Sequence, residues 1–170
     1  MPALNSDHLL EQADELIGRP AGGGAARQVD LKRAISAAYY AIFHAVAAAA
    51  ADDFVGKSQR HTPQYALAYR SIDHKSVRTL CEDIIKTTLP GKYSKYLPTG
   101  GFGPDLVALA TAVVDLQEKR LSADYDPLFR VRTSDATLAI GTGRAALIRF
   151  RNATRARRKA FLSLLLFSPR

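Results

Sequence analysis

The stretch from Gln28 to Asp52 contains neither glycine nor proline and is rich in alanine, the residue with the highest helix propensity. Within it Leu31, Ile35, Ala38, Ile42, Ala45 and Ala49 follow one another at steps of 4, 3, 4, 3 and 4, so they trace a single apolar stripe along a helix. The small side chains of Ala34, Ser36, Ala37, Ala38 and Ala41 allow a second helix to approach closely. A long helix of this kind is the centre of a core, and the rest of the chain must supply the elements that cover it.

The remaining segments read as helices as well. Leu9, Leu10, Ala13, Leu16 and Ile17 form a short amphipathic helix capped by Ser6 or Asp7 and ended by Gly18 and Pro20, with Arg19 to Gly24 as a flexible linker. Asp53 to Pro63 is a polar loop. Pro63 to Leu89 is helical in two pieces, Gln64–Ser71 and Ser76–Thr88, with Asp73 to Lys75 as a turn before a cap at Ser76. Lys92 to Pro104 is a loop, and Asp105 to Leu121 a helix that residues 123–127 break. A last helix starts at a Thr133 or Ser134 cap and runs on into a basic segment; Gly141 and Gly143 predict a kink or a close helix contact. No hairpin signal and no alternation of strands with helices appears. The fold class expected is all-α, an antiparallel bundle of about five helices over 1–150, followed by a basic then apolar extension over 151–170 that continues the last helix.

Charge is distributed unevenly. Of 24 basic and 16 acidic residues, 16 basic and all 16 acidic ones precede Arg144, so the net charge of +8 is carried by the last stretch. Arg149, Arg151, Arg155, Arg157, Arg158 and Lys159 spread over a broad helical face, which makes them candidates for binding RNA phosphates. The apolar Phe161 to Phe167 that follows is too short to span a bilayer and reads as packing against the bundle or a second copy. The single cysteine, Cys81, forms no internal disulfide and reads as a small packing residue. No signal peptide and no apolar run of about 18 residues is evident, so a cytoplasmic protein without a transmembrane segment is expected. No His/Cys spacing suits a metal, and no cofactor is implied.

Two motifs are more specific. Arg33 to His44, with its Tyr39-Tyr40-Ala-Ile-Phe43-His44 run, resembles the signature helix of HEPN domains. Arg120-Leu-Ser-Ala-Asp124-Tyr125-Asp126 is similar to an Arg-x-x-x-Asp-Tyr-Asp element found after a long helix in a bacterial subgroup of that family. The resemblance covers roughly Leu9 to Ile148. It implies a HEPN-like helical bundle, a homodimer, RNA or a nucleotide as ligand, and in toxin members a nucleotidyltransferase-like antitoxin partner. It also implies a cleft in which Arg and His serve metal-independent RNA cleavage, which places Arg120, Asp124, Tyr125 and His44 as candidate catalytic residues.

The residues themselves temper this. In active members four to six residues intervene between an Arg and a His; here four residues intervene between Arg120 and Tyr125, whose phenol has an ordinary pKa near 10 and is a poor base at neutral pH. Arg70 and His74 are separated by only three residues. His44 also reads as a boundary histidine bonded to a neighbouring helix, Tyr39 and Tyr40 as interhelix packing, and Arg120 with Asp124 and Asp126 as a local ion-pair cluster. His61 and His74 lie in polar stretches and read as solvated. The expected function is an RNA- or nucleotide-binding protein, non-catalytic or weakly so. The alternatives are an endoribonuclease toxin and a protein-interaction module that docks through its C-terminal tail.

Overall fold

The computed structural model describes residues 4–18 and 24–169, all helix and loop, with no strand among them. Seven α-helices follow in order: α1 (Ser6–Gly18), α2 (Gln28–Phe54), α3 (Pro63–Arg70), α4 (His74–Ile84), α5 (Gly103–Tyr125), α6 (Thr133–Asn152) and α7 (Arg155–Leu166). Short 3-10 helices occupy Lys57–Gln59 and Gly91–Tyr96. The expected linker from Arg19 to Gly24 lies outside the described residues except for Gly24.

α2 runs through the centre and is packed on by α1, α3, α5, α6 and α7. Its buried side chains cover most of the helix surface, from Leu31 through Tyr39, Ile42 and Val46 to Ala51, and leave one polar side. It is long and apolar enough to cross a membrane, contrary to the expectation that no such stretch exists, but most of it is covered by the bundle. A helix buried on nearly every side has this composition for that reason.

Several boundaries differ from the expectation because a different side chain takes the capping role. Asn5 accepts from the Asp7 N–H, 3.0 Å, ahead of α1. Asp73 accepts from the Ser76 N–H, 2.8 Å, so α4 begins at His74 and Ser76 lies inside it. Asp135 accepts from the Arg132 N–H, 2.9 Å, so α6 is capped at Arg132 instead of Thr133 or Ser134. α5 runs one turn beyond Leu121, to Tyr125, which puts Arg120 and Asp124 on one helix face. The loop after it is fastened to α2 by Gln28, whose side chain donates to Val131 O, 2.7 Å, and accepts from Val131 N, 3.0 Å.

The last helix does not continue into the basic segment. α6 ends at Asn152, Ala153 is extended (ψ 136°), and Thr154 caps a new helix by accepting from the Arg157 N–H. The physical reason is the apolar content of α7. The break folds Phe161, Leu162, Leu164 and Leu165 back into the same core as the other helices, where each side chain gains about 1.5–3 kcal/mol over exposure. α7 therefore shares one core with α1, α2, α4, α5 and α6, while α3 packs through a small cluster of Tyr65 and Ala68 on Ala51.

α6 is unbroken through its two glycines, which behave differently. A Cβ on Gly143 would lie 3.2 Å from Ala38 O and 3.3 Å from Leu10 Cδ2, whereas one on Gly141 meets nothing. Gly143 is the close contact that lets α6 pack on α2 and α1. Gly141→Ala should accordingly stabilise the fold by about 1 kcal/mol, raising Tm by roughly 2–4 °C, and Gly143→Val should destabilise it by about 1–3 kcal/mol. Thermal melts of the two variants check this; equal effects would contradict the packing described.

Candidate functional site

One side of α2 is polar. Arg33, Ser36, Tyr40 and His44 follow at steps of 3, 4 and 4, and together with Ala37 they line a cleft of about 440 Å³ whose opposite wall is α1, through Leu9, Gln12 and Leu16. Asp124, from the last turn of α5, closes the cleft at one end. Arg33 and Asp124 also line an adjacent cleft of about 360 Å³, bounded by Lys32, Phe129 and Arg130. The helical period brings the four polar side chains of α2 into one row, and the length of α5 brings Asp124 to meet them.

Behind the cleft lies a connected set of bonds. Ser36 Oγ donates to Asp124 Oδ1, 2.5 Å, and Arg120 Nε sits 2.7 Å from Asp124 Oδ2. Arg120 Nη2 donates to Tyr40 Oη, 2.6 Å. The guanidinium also lies over the rings of Tyr40 and Tyr125, 5.2 and 5.6 Å from their centroids. Burial works against the Arg120 charge, but Tyr40 and Asp124 more than offset it and hold the group charged. The Nε contact with Asp124 is ionic, since its N–H is not aligned on the carboxylate. One turn earlier the buried Gln117 donates to His74 O, 3.3 Å, while its Oε1 has no protein partner.

Two imidazoles complete the cluster. His44 stacks beside Tyr40, its ring centroid 5.8 Å away, and its Nδ1 is hydrogen-bonded to Tyr69 Oη of α3 at 2.6 Å. His74, at the start of α4, lies with its ring 4.0 Å from that of Phe43, and its Nδ1 is bonded to Tyr39 Oη at 2.8 Å. Burial raises the pKa of Tyr39 and of Tyr69, so both phenols keep their protons and can donate to Nδ1. With the phenol donating, the proton of each neutral imidazole sits on Nε2. Burial, and then the other imidazole, lowers the His44 pKa below its ordinary 6.5; burial, and then Arg120, lowers that of His74. Both rings are neutral at pH 7, one facing an open cleft and one set behind it.

The expected site residues are thus brought together only in part. Arg120 pairs with Asp124, whereas His44 shares the cleft lining with Asp124, reaches Arg120 only by way of Tyr40, and bonds to a neighbouring helix. Tyr125 points outward, 71% exposed, and touches the cluster only through Arg120. Asp126 stays out of the ion pair; its Oδ1 accepts from the Leu128 N–H and turns the chain. His74 is not solvated, because folding places Phe43 and Tyr39 against it. Ser36, Tyr69 and His74 had not been singled out for the site. The polar row 33, 36, 40, 44 on an otherwise apolar helix is a signal that finds Ser36; Tyr69 and His74 arrive from other helices and leave none.

The C-terminal cations are dispersed. Arg149 pairs with Asp105, 3.1 Å, and Arg151 with Asp7, 2.8 Å. Arg158 donates to Arg151 O, 3.2 Å, and Arg157 lies against the backbone of Gly100 and Gly103. Arg155 and Lys159 are exposed, and Lys159 lines a different cleft. The exposed pairs are worth about 0–1 kcal/mol each, so they orient these arginines more than they stabilise the fold. Among the described residues no three His, Cys, Asp or Glu side chains are grouped so as to hold a metal ion. Cys81 is fully buried, and burial raises its thiol pKa.

No family model matches the chain, and no curated protein or solved structure matches it.

The histidines predict a pH dependence. Unfolding releases both imidazoles to an ordinary pKa near 6.5, above their folded values, so the unfolded chain binds more protons as pH falls through that value. Stability should fall as pH drops from 7 towards 5. Asp73 and Asp83, whose pKa values are lowered in the fold, add their loss only in the more acidic range below about 4. Urea denaturation between pH 5 and 7 checks this; a flat profile, or one unchanged by His44→Gln and His74→Gln together, contradicts buried neutral imidazoles.

Proposed function

We propose that this chain is an RNA-binding helical-bundle protein, HEPN-like in kind, that takes a phosphate of single-stranded RNA into the cleft between α1 and α2. The observation that carries the reading is the row Arg33, Ser36, Tyr40 and His44 along that cleft. It sets an exposed guanidinium beside a hydroxyl, an aromatic ring and an imidazole. Phosphate binding needs the first of these, and base stacking uses the ring faces. Arg120 serves as a positioning residue, since only 13% of its side chain is exposed and its bonds go to Tyr40 and Asp124. Arg155 supplies further positive charge on the surface.

A second reading, metal-independent RNA cleavage, is favoured by the convergence of two neutral imidazoles on Tyr40, whose hydroxyl accepts from the Arg120 guanidinium. In that chemistry His44 removes the proton of the 2′-hydroxyl, the oxygen attacks the adjacent phosphorus, and the 5′-oxygen leaves with a proton from an acid. Binding is the first reading because His74, the second imidazole, is outside the cleft lining, and the Asp124 carboxylate that does line it is engaged by Ser36 and Arg120.

The test is a titration of labelled mixed-sequence RNA against salt, with chelator and then with magnesium, following retention and cleavage together. Binding should weaken with salt, and Arg33→Ala and Arg155→Ala should each reduce the slope of log K against log salt by about 0.7. An unchanged slope in Arg33→Ala removes the cleft from the account, and no retention even at low salt overturns the reading. Metal-independent cleavage that is lost in both His44→Gln and Arg120→Ala would establish the second reading.

A further inference from the structure

A larger cleft, about 790 Å³, opens between α7 and the Gly91–Tyr96 helix with the loop after it. It lies within the size range of sites that hold small molecules. Its floor and walls are mostly hydrocarbon, with Leu97 and Pro98 on one side and Ala160 and Leu164 on the other; the rings of Tyr96 and Phe167 also line it. Two cations, Lys95 and Lys159, stand on opposite walls, and no aspartate or glutamate lines it among the described residues.

The cleft is fastened on both sides. Gly100, Gly101 and Gly103 have φ of 83, 66 and 75°, which turns the loop tightly. A Cβ on Gly103 would overlap the Arg157 guanidinium, so α7 is packed directly on that turn. Phe54 of α2 meets Phe167 edge to face with centroids 5.6 Å apart and holds the aromatic wall. None of these residues belongs to the α1–α2 cleft.

We infer that this cleft binds a single-chain amphiphile with an anionic head, a fatty carboxylate or an alkyl phosphate, the chain lying on the apolar floor and the head between Lys95 and Lys159. Charge complementarity selects the sign of the head. The lining selects a hydrocarbon body over a nucleotide. Among the described residues its polar side chains beyond the two lysines are Ser163, Ser168 and the Tyr96 phenol, with no side-chain amide, carboxylate or guanidinium to pair with the edge of a base. A base would leave its polar groups unmatched there, whereas an alkyl chain leaves none. A membrane surface is a poorer occupant, because the apolar side chains of α7, Phe161, Leu162, Leu164 and Leu165, are already buried in the bundle.

The chain contains no tryptophan, so Phe167→Trp places a lone indole in the cleft. Dodecanoate below its micellar concentration should shift the emission of this variant to the blue and saturate, and calorimetry on the unaltered chain should give the same affinity. Dodecanol should bind at least tenfold more weakly. The double variant Lys95→Ala with Lys159→Ala, both exposed positions, should keep its helical circular dichroism and lose at least tenfold in dodecanoate affinity by calorimetry. Dodecyl phosphate in parallel identifies the head, tighter binding than dodecanoate pointing to phosphate and weaker binding to carboxylate. The inference is overturned by a non-saturating signal, by equal affinity in the double variant, by binding of adenosine monophosphate in place of dodecanoate, or by binding only to anionic vesicles.

Discussion

A helix with five neighbours has little surface left for polar side chains, and α2 is packed on by α1, α3, α5, α6 and α7. Its alanines let those neighbours close in, and Gly143 of α6 approaches near enough that even a methyl group would crowd the Ala38 carbonyl. Everything else follows from this crowding. Polar groups on α2 persist where a neighbour satisfies them or a cleft exposes them, and Arg33, Ser36, Tyr40 and His44 stand in that row. α1 covers the row incompletely, and the gap it leaves is the cleft.

The bonds behind the row convert helix packing into side-chain position. Arg120 and Asp124 are one helical turn apart on α5, and each reaches α2: Arg120 to Tyr40, Asp124 to Ser36. Charged hydrogen bonds in a half-buried setting are stronger than neutral ones, so the two helices are tied in register where the cleft is lined. The imidazoles are held in the same way by phenols from other elements, Tyr69 for His44 and Tyr39 for His74. Because the phenols stay protonated and burial disfavours charge, the pair is kept neutral in place. A neutral imidazole facing a cleft can accept a proton, which an imidazolium cannot.

The all-helical class, the central helix and most helix positions were legible in the amino-acid sequence, because they rest on local period and on the placement of glycine and proline. The Arg120 cluster was legible as a local motif. What escaped depends on chain packing. Two polar neighbours marked His74 as solvated, yet folding sets it against Phe43; the net charge of the C-terminal region suggested free arginines, yet Arg149 and Arg151 meet carboxylates far away in the sequence. The basic segment was read as a continuing helix because its composition favours one. A single Thr cap and four apolar residues that needed covering were enough to break it.

The central proposal is that His44 faces the cleft that would take an RNA phosphate, with His74 sheltered behind it. Nuclear magnetic resonance titration of the two imidazoles, with and without a short single-stranded RNA, tests it most directly. The account predicts that both titrate below 6.5 in the free protein, and that RNA raises the His44 midpoint clearly more than that of His74, since a nearby anion favours the imidazolium. An unmoved His44 in the presence of bound RNA would place the RNA elsewhere and contradict the account.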